Sequence, residues 1–248
     1  MIFECTATAL NLRKAAEGSI IGELRAGDLF ELDVKKSAEV WVAGTVKTGV
    51  SAGKKGFLRR KWLIQYFPDT ASISKLDRKK AANIIAQRTS EFDAVTYKLG
   101  DKAKTWKDLT KNQHIDCSGW IYLLTKEILA EYGLQTSPGI LDTYSDEQIT
   151  NIGIKTETII SGRFVSEDNL KAGVLLGIDF SEYSWDRGRP LDIDHIVAIG
   201  EDSQGLFVSQ SSSSGGGVNR VSLAKWMKSN KSLVDQGRVH LVDILMLS

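Results

Sequence analysis

Two kinds of apolar spacing divide the chain. From about residue 5 to residue 65, apolar and polar positions alternate in short runs: Leu10-Asn11-Leu12-Arg13, Ser19 to Leu24, Asp28 to Val34 and Val40 to Ala43. Ala26-Gly27-Asp28 marks a turn, and Lys54-Lys55-Gly56 leads into the apolar pair Phe57-Leu58. Period-two alternation broken by turn residues predicts short strands, and several in succession predict a small half-open β-barrel or sandwich. A unit of about 60 residues is near the lower limit for independent folding, so it is expected to pack on its neighbour.

Beyond the turn-rich segment Pro68 to Ser72 the spacing changes. Leu76, Ala81, Ile84 and Ile85 recur at helical intervals and predict a helix over 74–88. The polar stretch from Lys98 to Gln113 predicts a loop, and Asp116 to Leu129 a second helix. From residue 160 onward strands dominate: Val174 to Ile178, His195 to Ile199, Leu206 to Val208 and Arg238 to Val242. Helices followed by an antiparallel sheet make an α+β layout. No internal repeat is visible, and Ser211 to Gly217 is the single low-complexity stretch.

Composition narrows the function classes. With 42% hydrophobic and 25% charged residues, the 248-residue chain is not wholly disordered, and its length suits one large domain or two modest ones. Lys plus Arg total 32 against 31 for Asp plus Glu, so nothing global draws the protein to nucleic acid or an anionic membrane. The longest apolar runs fall far short of the roughly 20 residues that span a bilayer, so no transmembrane segment is expected. Two cysteines, Cys5 and Cys117, exclude a disulfide-rich scaffold and a multi-cysteine zinc site, and leave one bridge open. The first residues show neither a basic nor an apolar signal region, so no secretory signal is expected there. Lys54, Lys55, Arg59, Arg60 and Lys61 form a local basic cluster with two readings, contact with an anionic polymer or a solvated strand edge guarded by lysine.

The candidate chemistry centres on Cys117, at the start of a helix within Asp116-Cys117-Ser118-Gly119. A thiol there feels the positive end of the helix dipole, which is expected to lower its pKa. The unpaired N–H groups of the first turn are ready oxyanion donors, and Gly119 is expected to leave room for a substrate backbone. A thiolate nucleophile needs a base, and His114, His195 and His240 compete for that role. His195 opens an apolar strand just after Asp192-Ile193-Asp194 and is favoured. A buried structural cysteine is the plain alternative.

Two resemblances follow from these residues. Leu10 to Arg13, Ile21 to Gly27, Trp41-Val42, Gly56 to Leu58 and Trp62-Leu63 stand in the order of a bacterial SH3 (SH3b) domain. That resemblance implies a wall-binding or substrate-shaping module at 1–67, not a catalytic one, which leaves a linker at 68–74 and assigns any catalytic domain to 75–248. Asp116-Cys117-Ser118-Gly119-Trp120 is preceded by Tyr97-Lys98-Leu99-Gly100 and followed 78 residues after the cysteine by His195 to Gly200. This order is similar to the NlpC/P60 family of papain-like cysteine peptidases, which cut peptidoglycan stem peptides. The resemblance implies Cys117 as nucleophile, His195 as base and a third polar residue on the next strand. That residue is Gln210 when aligned from the Ser/Gly run and Ser209 when aligned from Gly205-Leu206-Phe207. Tyr97, Asp116, Ser118 and Gly119 are then expected to bind substrate. The implied bond is γ-D-glutamyl to diamino acid, in peptidoglycan or a muropeptide, with no metal or cofactor.

Two segments, Asp101 to Gln113 and Trp185 to Pro190, fit the family less well. Rival expectations are a CHAP-type amidase, a wall-degrading toxin or phage lysin, and a wall-binding protein without activity. A monomer is expected, with an immunity or delivery partner left open. Location follows substrate: the wall or periplasm after delivery without a signal peptide, or the cytoplasm for muropeptide recycling.

Overall fold

The computed structural model describes residues 2–33, 40–65, 75–132, 144–156, 160–161, 165, 169–181, 183, 189 and 191–247. The chain separates into two compact units, Met1–Asp69 and Thr70–Ser248. The connector expected at 68–74 lies outside the described residues, as does most of the 185–190 loop.

The first unit is one seven-stranded antiparallel sheet: β1 (Ile2–Cys5), β2 (Leu10–Arg13), β3 (Ile20–Leu24), β4 (Leu29–Leu32), β5 (Trp41–Val46), β6 (Lys55–Arg59) and β7 (Leu63–Gln65). Their order across the sheet is β3-β2-β6-β5-β4-β1-β7. The alternation read from the sequence is the alternation that packs. Leu10 and Leu12 of β2 are buried and Asn11 between them is exposed, so every second side chain reaches a core shared with Cys5, Leu24, Phe30, Val42, Leu58 and Leu63. All seven strands contribute to that core, and the sheet bends round it. The basic cluster uses its members in different ways. Lys54 donates to the Ile21 carbonyl (2.9 Å), while Arg59 stacks over Trp41 (4.8 Å) and Lys61 over Trp62 (4.9 Å). Arg59, Lys61 and the two tryptophans line a shallow groove with Arg13.

The second unit is α+β. Its helices are α1 (Lys75–Glu91), α2 (Trp106–Asn112), α3 (Cys117–Glu131), α4 (Ser145–Thr156) and α5 (Leu223–Asp235). Its strands are β8 (Thr96–Tyr97), β9 (His114–Ile115), β10 (Ile160–Ser161), β11 (Val174–Ile178), β12 (His195–Asp202), β13 (Gly205–Ser212), β14 (Gly217–Ser222) and β15 (Val239–Asp243). They form one sheet in the order β10-β15-β11-β12-β13-β14-β8-β9, antiparallel except for the β8–β9 pair. The central strands β11 and β12 are buried on both faces, which is why they read as continuous apolar runs. α3 is the central helix, with ten buried residues and Trp120 fully enclosed against Phe92 and Trp106. Arg88 of α1 clamps Glu127 of α3 with two bonds of 2.8 and 2.7 Å. Among the described residues no helix is long and apolar enough to cross a membrane.

Three helices depart from the sequence reading. The expected loop at 98–113 contains α2, started by the Thr105 side chain accepting from the Asp108 N–H (3.2 Å). α4 and α5 fall where no helix was expected. Their apolar stripes are narrow (Ile149 and Ile152 in one, Leu223, Trp226 and Val234 in the other), and their remaining positions are largely polar.

Candidate active site

Asp116 caps α3. Its backbone is extended, and its carboxylate accepts from the Gly119 N–H (2.8 Å), closing the first turn. The same carboxylate accepts from the Gly100 N–H (3.1 Å) and from the Lys102 ammonium (2.7 and 2.5 Å), which also contacts the Ser118 hydroxyl. Asp116 is therefore fully occupied within the protein, and it anchors the turn that carries Cys117. Gly119 departs from its expected use. It is buried away from the cavity, and a Cβ there would lie 2.9 Å from the Ile115 side chain and 3.2 Å from the Asp101 carbonyl. The glycine lets the helix start pack against the strand before it.

Cys117 lies 6% exposed at the wall of a cavity of about 890 Å³. Tyr97, Asp116, Ser118, His195 and Gln210 line the same cavity, whose rim carries the exposed aromatics Tyr144, Phe180 and Tyr183. Neither His114 nor His240 is in this lining. His114 pairs with Asp101, and His240 sits in the sheet opposite Gly177. Cys5 and Cys117 are both free thiols, so the bridge left open by the sequence is not formed.

The imidazole is held from two sides. His195 Nε2 meets the Gln210 Oε1 at 2.9 Å, and the Phe180 ring lies 5.9 Å from the imidazole centre at a 32° tilt. Phe180 is placed by Asp194, whose carboxylate accepts from the N–H groups of Phe180 (2.9 Å) and Ser181 (3.3 Å). The segment entering β12 is fixed in turn by α4. Buried Asp146 accepts from the Leu191 and Ile193 N–H groups (both 3.1 Å), and Ser145 donates to the Ile193 carbonyl (2.9 Å).

The two alignments for the third residue separate here by face. Ser209 is fully buried on the far side of β13, bonded to Thr89 (2.7 Å) and to the Trp120 indole N–H (3.0 Å). Gln210 points the other way, toward His195.

The electrostatics differ from the expected thiolate. Burial, and next the nearby Asp116 carboxylate, push the Cys117 thiol up to about 11, against the opposing Ile196 N–H, Lys102 and Ser118 N–H. Burial likewise lowers the His195 pKa, with Gln210 opposing it. Burial pushes the Tyr97 phenol up to about 12, with Cys117 and Asp116 adding to it. Both shifts favour the uncharged forms, the thiol and the neutral imidazole. With Gly119 N–H given to the cap and Trp120 N–H to the Asp116 carbonyl (3.0 Å), the Cys117 N–H has no acceptor among the described residues.

Lys102, Asp146 and Asn219, which bonds Gln210 (3.1 Å), were not singled out from the sequence. Each acts across 9 to 47 residues of chain, where no local pattern reports the contact. Among the described residues no group of three His, Cys, Asp or Glu side chains is arranged to hold a metal ion.

No protein-family description and no curated protein matches the chain. Among solved structures it is similar to NlpC2 from Trichomonas vaginalis, at 11% identity and a TM-score of 0.36, over 90% of this chain and 68% of that one.

Proposed function

We propose that the second unit is a cysteine hydrolase of amide bonds, with Cys117 as nucleophile, His195 as general base and Gln210 orienting the imidazole. The supporting observation is convergence: a thiol at a helix start and an imidazole bonded through Nε2 to a side-chain amide line one cavity. Nδ1 of His195 takes the thiol proton as Sγ attacks the carbonyl carbon, and the Cys117 N–H receives the developing oxyanion. The imidazolium then protonates the leaving amine as the C–N bond breaks, which leaves a thioester. Water, giving its proton to His195, adds to the thioester and expels the thiol.

A neutral resting pair suits this sequence, because the proton moves between the two groups inside the site and no charge has to be buried beforehand. Tyr97 and Ser118 contact the bound substrate, and Asp116 and Gly119 act through the helix start. The family resemblance directs the reading to peptidoglycan stem peptides, at the γ-D-glutamyl to diamino acid bond, with the first unit as the wall-facing module. The test is digestion of purified peptidoglycan and of free stem peptide by wild type and Cys117→Ala, with products read by mass spectrometry. New amino termini on the diamino acid with wild type alone support the proposal. Equal product with both proteins, or none with either, refutes it.

A further inference from the structure

The Ser/Gly run of the sequence has no part in the mechanism above, yet it forms a tightly specified turn. Resting on the cysteine-hydrolase reading, we propose that Asn219 is a positioning residue, held by the 212–217 turn, which orients the Gln210 amide and thereby decides which nitrogen of His195 carries the proton.

A backbone carbonyl can only accept. The Gly217 carbonyl lies 2.7 Å from the Asn219 Nδ2, so the NH₂ end of this side chain must face it. The same NH₂ reaches the Ser212 hydroxyl (3.1 Å), which also accepts from the Gly215 N–H (3.1 Å). Asn219 Oδ1 is then turned toward Gln210, its cross-strand partner in the β13–β14 ladder, and accepts from Gln210 Nε2 (3.1 Å). That contact leaves Gln210 Oε1 against His195 Nε2. An amide oxygen only accepts, so Nε2 carries the proton and Nδ1 keeps its lone pair.

A reversed Gln210 amide would present NH₂ to the ring. It would demand the lone pair at Nε2 and put the proton on Nδ1, the nitrogen that has to act as base. Gln210 itself has no preference between the two orientations, and Asn219 supplies one. The turn is shaped around that side chain, because a Cβ at Gly215 would lie 2.1 Å from the Asn219 Nδ2.

Long-range ¹H–¹⁵N NMR of the full chain at pH 8 reads the proton position on His195, with its signals assigned by their loss in His195→Gln. The expected result is Nε2–H alone in wild type and a mixture of tautomers in Asn219→Ala. Gly215→Ala, which keeps Asn219 but crowds its amide, is expected to give the same mixture and serves if Asn219→Ala does not fold. A wild-type ring protonated at Nδ1, or an unchanged tautomer in the folded variants, overturns the proposal whether or not the protein cleaves any wall.

A second readout separates orientation from simple support of the hairpin. Asn219→Ala is expected to slow alkylation of Cys117 by iodoacetamide about tenfold. In a Gln210→Glu background both oxygens accept and neither orientation is wrong, so the same substitution should leave the rate unchanged or raise it. Equal slowing in both backgrounds overturns the proposal. Failure of the hydrolase reading shows elsewhere, as equal digestion by wild type and Cys117→Ala.

Discussion

The two thiols of this chain sit in regions built on opposite principles. Cys5 is fully enclosed in the first unit among leucines, valines and Phe30, and its Sγ donates to the Ala7 carbonyl (3.6 Å). Cys117 is nearly as enclosed, yet Asp116, Ser118 and Gln148 beside its helix start and Ser209 to Ser212 on the facing strand are all buried polar residues. Among the described residues, Ser51 is the single buried polar side chain of the first unit, whereas the second holds thirteen. Each buried polar group costs stability unless it is bonded, so a fold that sets seven of them at this helix start and the strand facing it is giving up packing energy for positioning. An apolar setting makes Cys5 an ordinary core residue, while bonded polar neighbours hold Cys117 and His195 toward one cavity.

The comparison can be broken where its polar scaffold is most connected. Asp146→Ala strands the Leu191 and Ile193 N–H groups and frees the segment that enters β12. It is expected to destabilise the second unit by about 3 kcal/mol in urea unfolding. The rate of Cys117 alkylation should fall with it, through loss of His195 placement.

The pH dependence of stability sharpens the same contrast. Above about pH 9 the unfolded Cys117 thiol loses its proton, while the native one keeps it to about 11. The native state then binds more protons, and stability falls as pH rises across that window by about 3 kcal/mol. Tyr97 acts in the same direction between about 10 and 12. His195, lowered by burial, has the opposite sign: below about pH 6.5 the unfolded chain takes a proton that the native site refuses, so stability falls toward acid. Thermal unfolding across pH should show both limbs. Cys117→Ala should shrink the alkaline limb to the part that Tyr97 supplies, and His195→Gln should shrink the acid one.

The smallest effect belongs to the first unit. Ser51→Ala removes the buried acceptor of the Glu23 N–H (3.1 Å) and is expected to cost about 1 kcal/mol, with no change in Cys117 reactivity. A loss of reactivity in that variant would mean that the two regions are not independent in this respect.

What the sequence made legible was whatever repeats locally. The β2 alternation, the apolar β11 and the apolar run of α3 were readable because burial on one face or two leaves a periodic trace. Asp116 was singled out from the sequence as a substrate contact, and its work as the cap of α3 was not read there, although a cap and its helix are adjacent in the chain. α5 was not readable, since its buried Leu223, Trp226 and Val234 are outnumbered by Lys, Ser and Asn on the exposed face. Asn219, Lys102 and Asp146 had no signal at all, because a polar side chain bonded across strands or loops has no spacing rule. Gln210 was separable from Ser209 only through the pleat, which sends neighbouring side chains to opposite faces once the register of β13 is known. The thiol pKa was misjudged for a related reason: the helix start is visible in the sequence, whereas the burial that outweighs it is set by the whole second unit.

Whether His195 serves Cys117 is decided by alkylating the native protein with iodoacetamide at pH 8 and reading each cysteine by mass spectrometry. The account predicts that Cys117 reacts while Cys5 stays protected, and that His195→Ala slows Cys117 at least about tenfold while leaving Cys5 unchanged. An identical Cys117 rate in wild type and His195→Ala would contradict it.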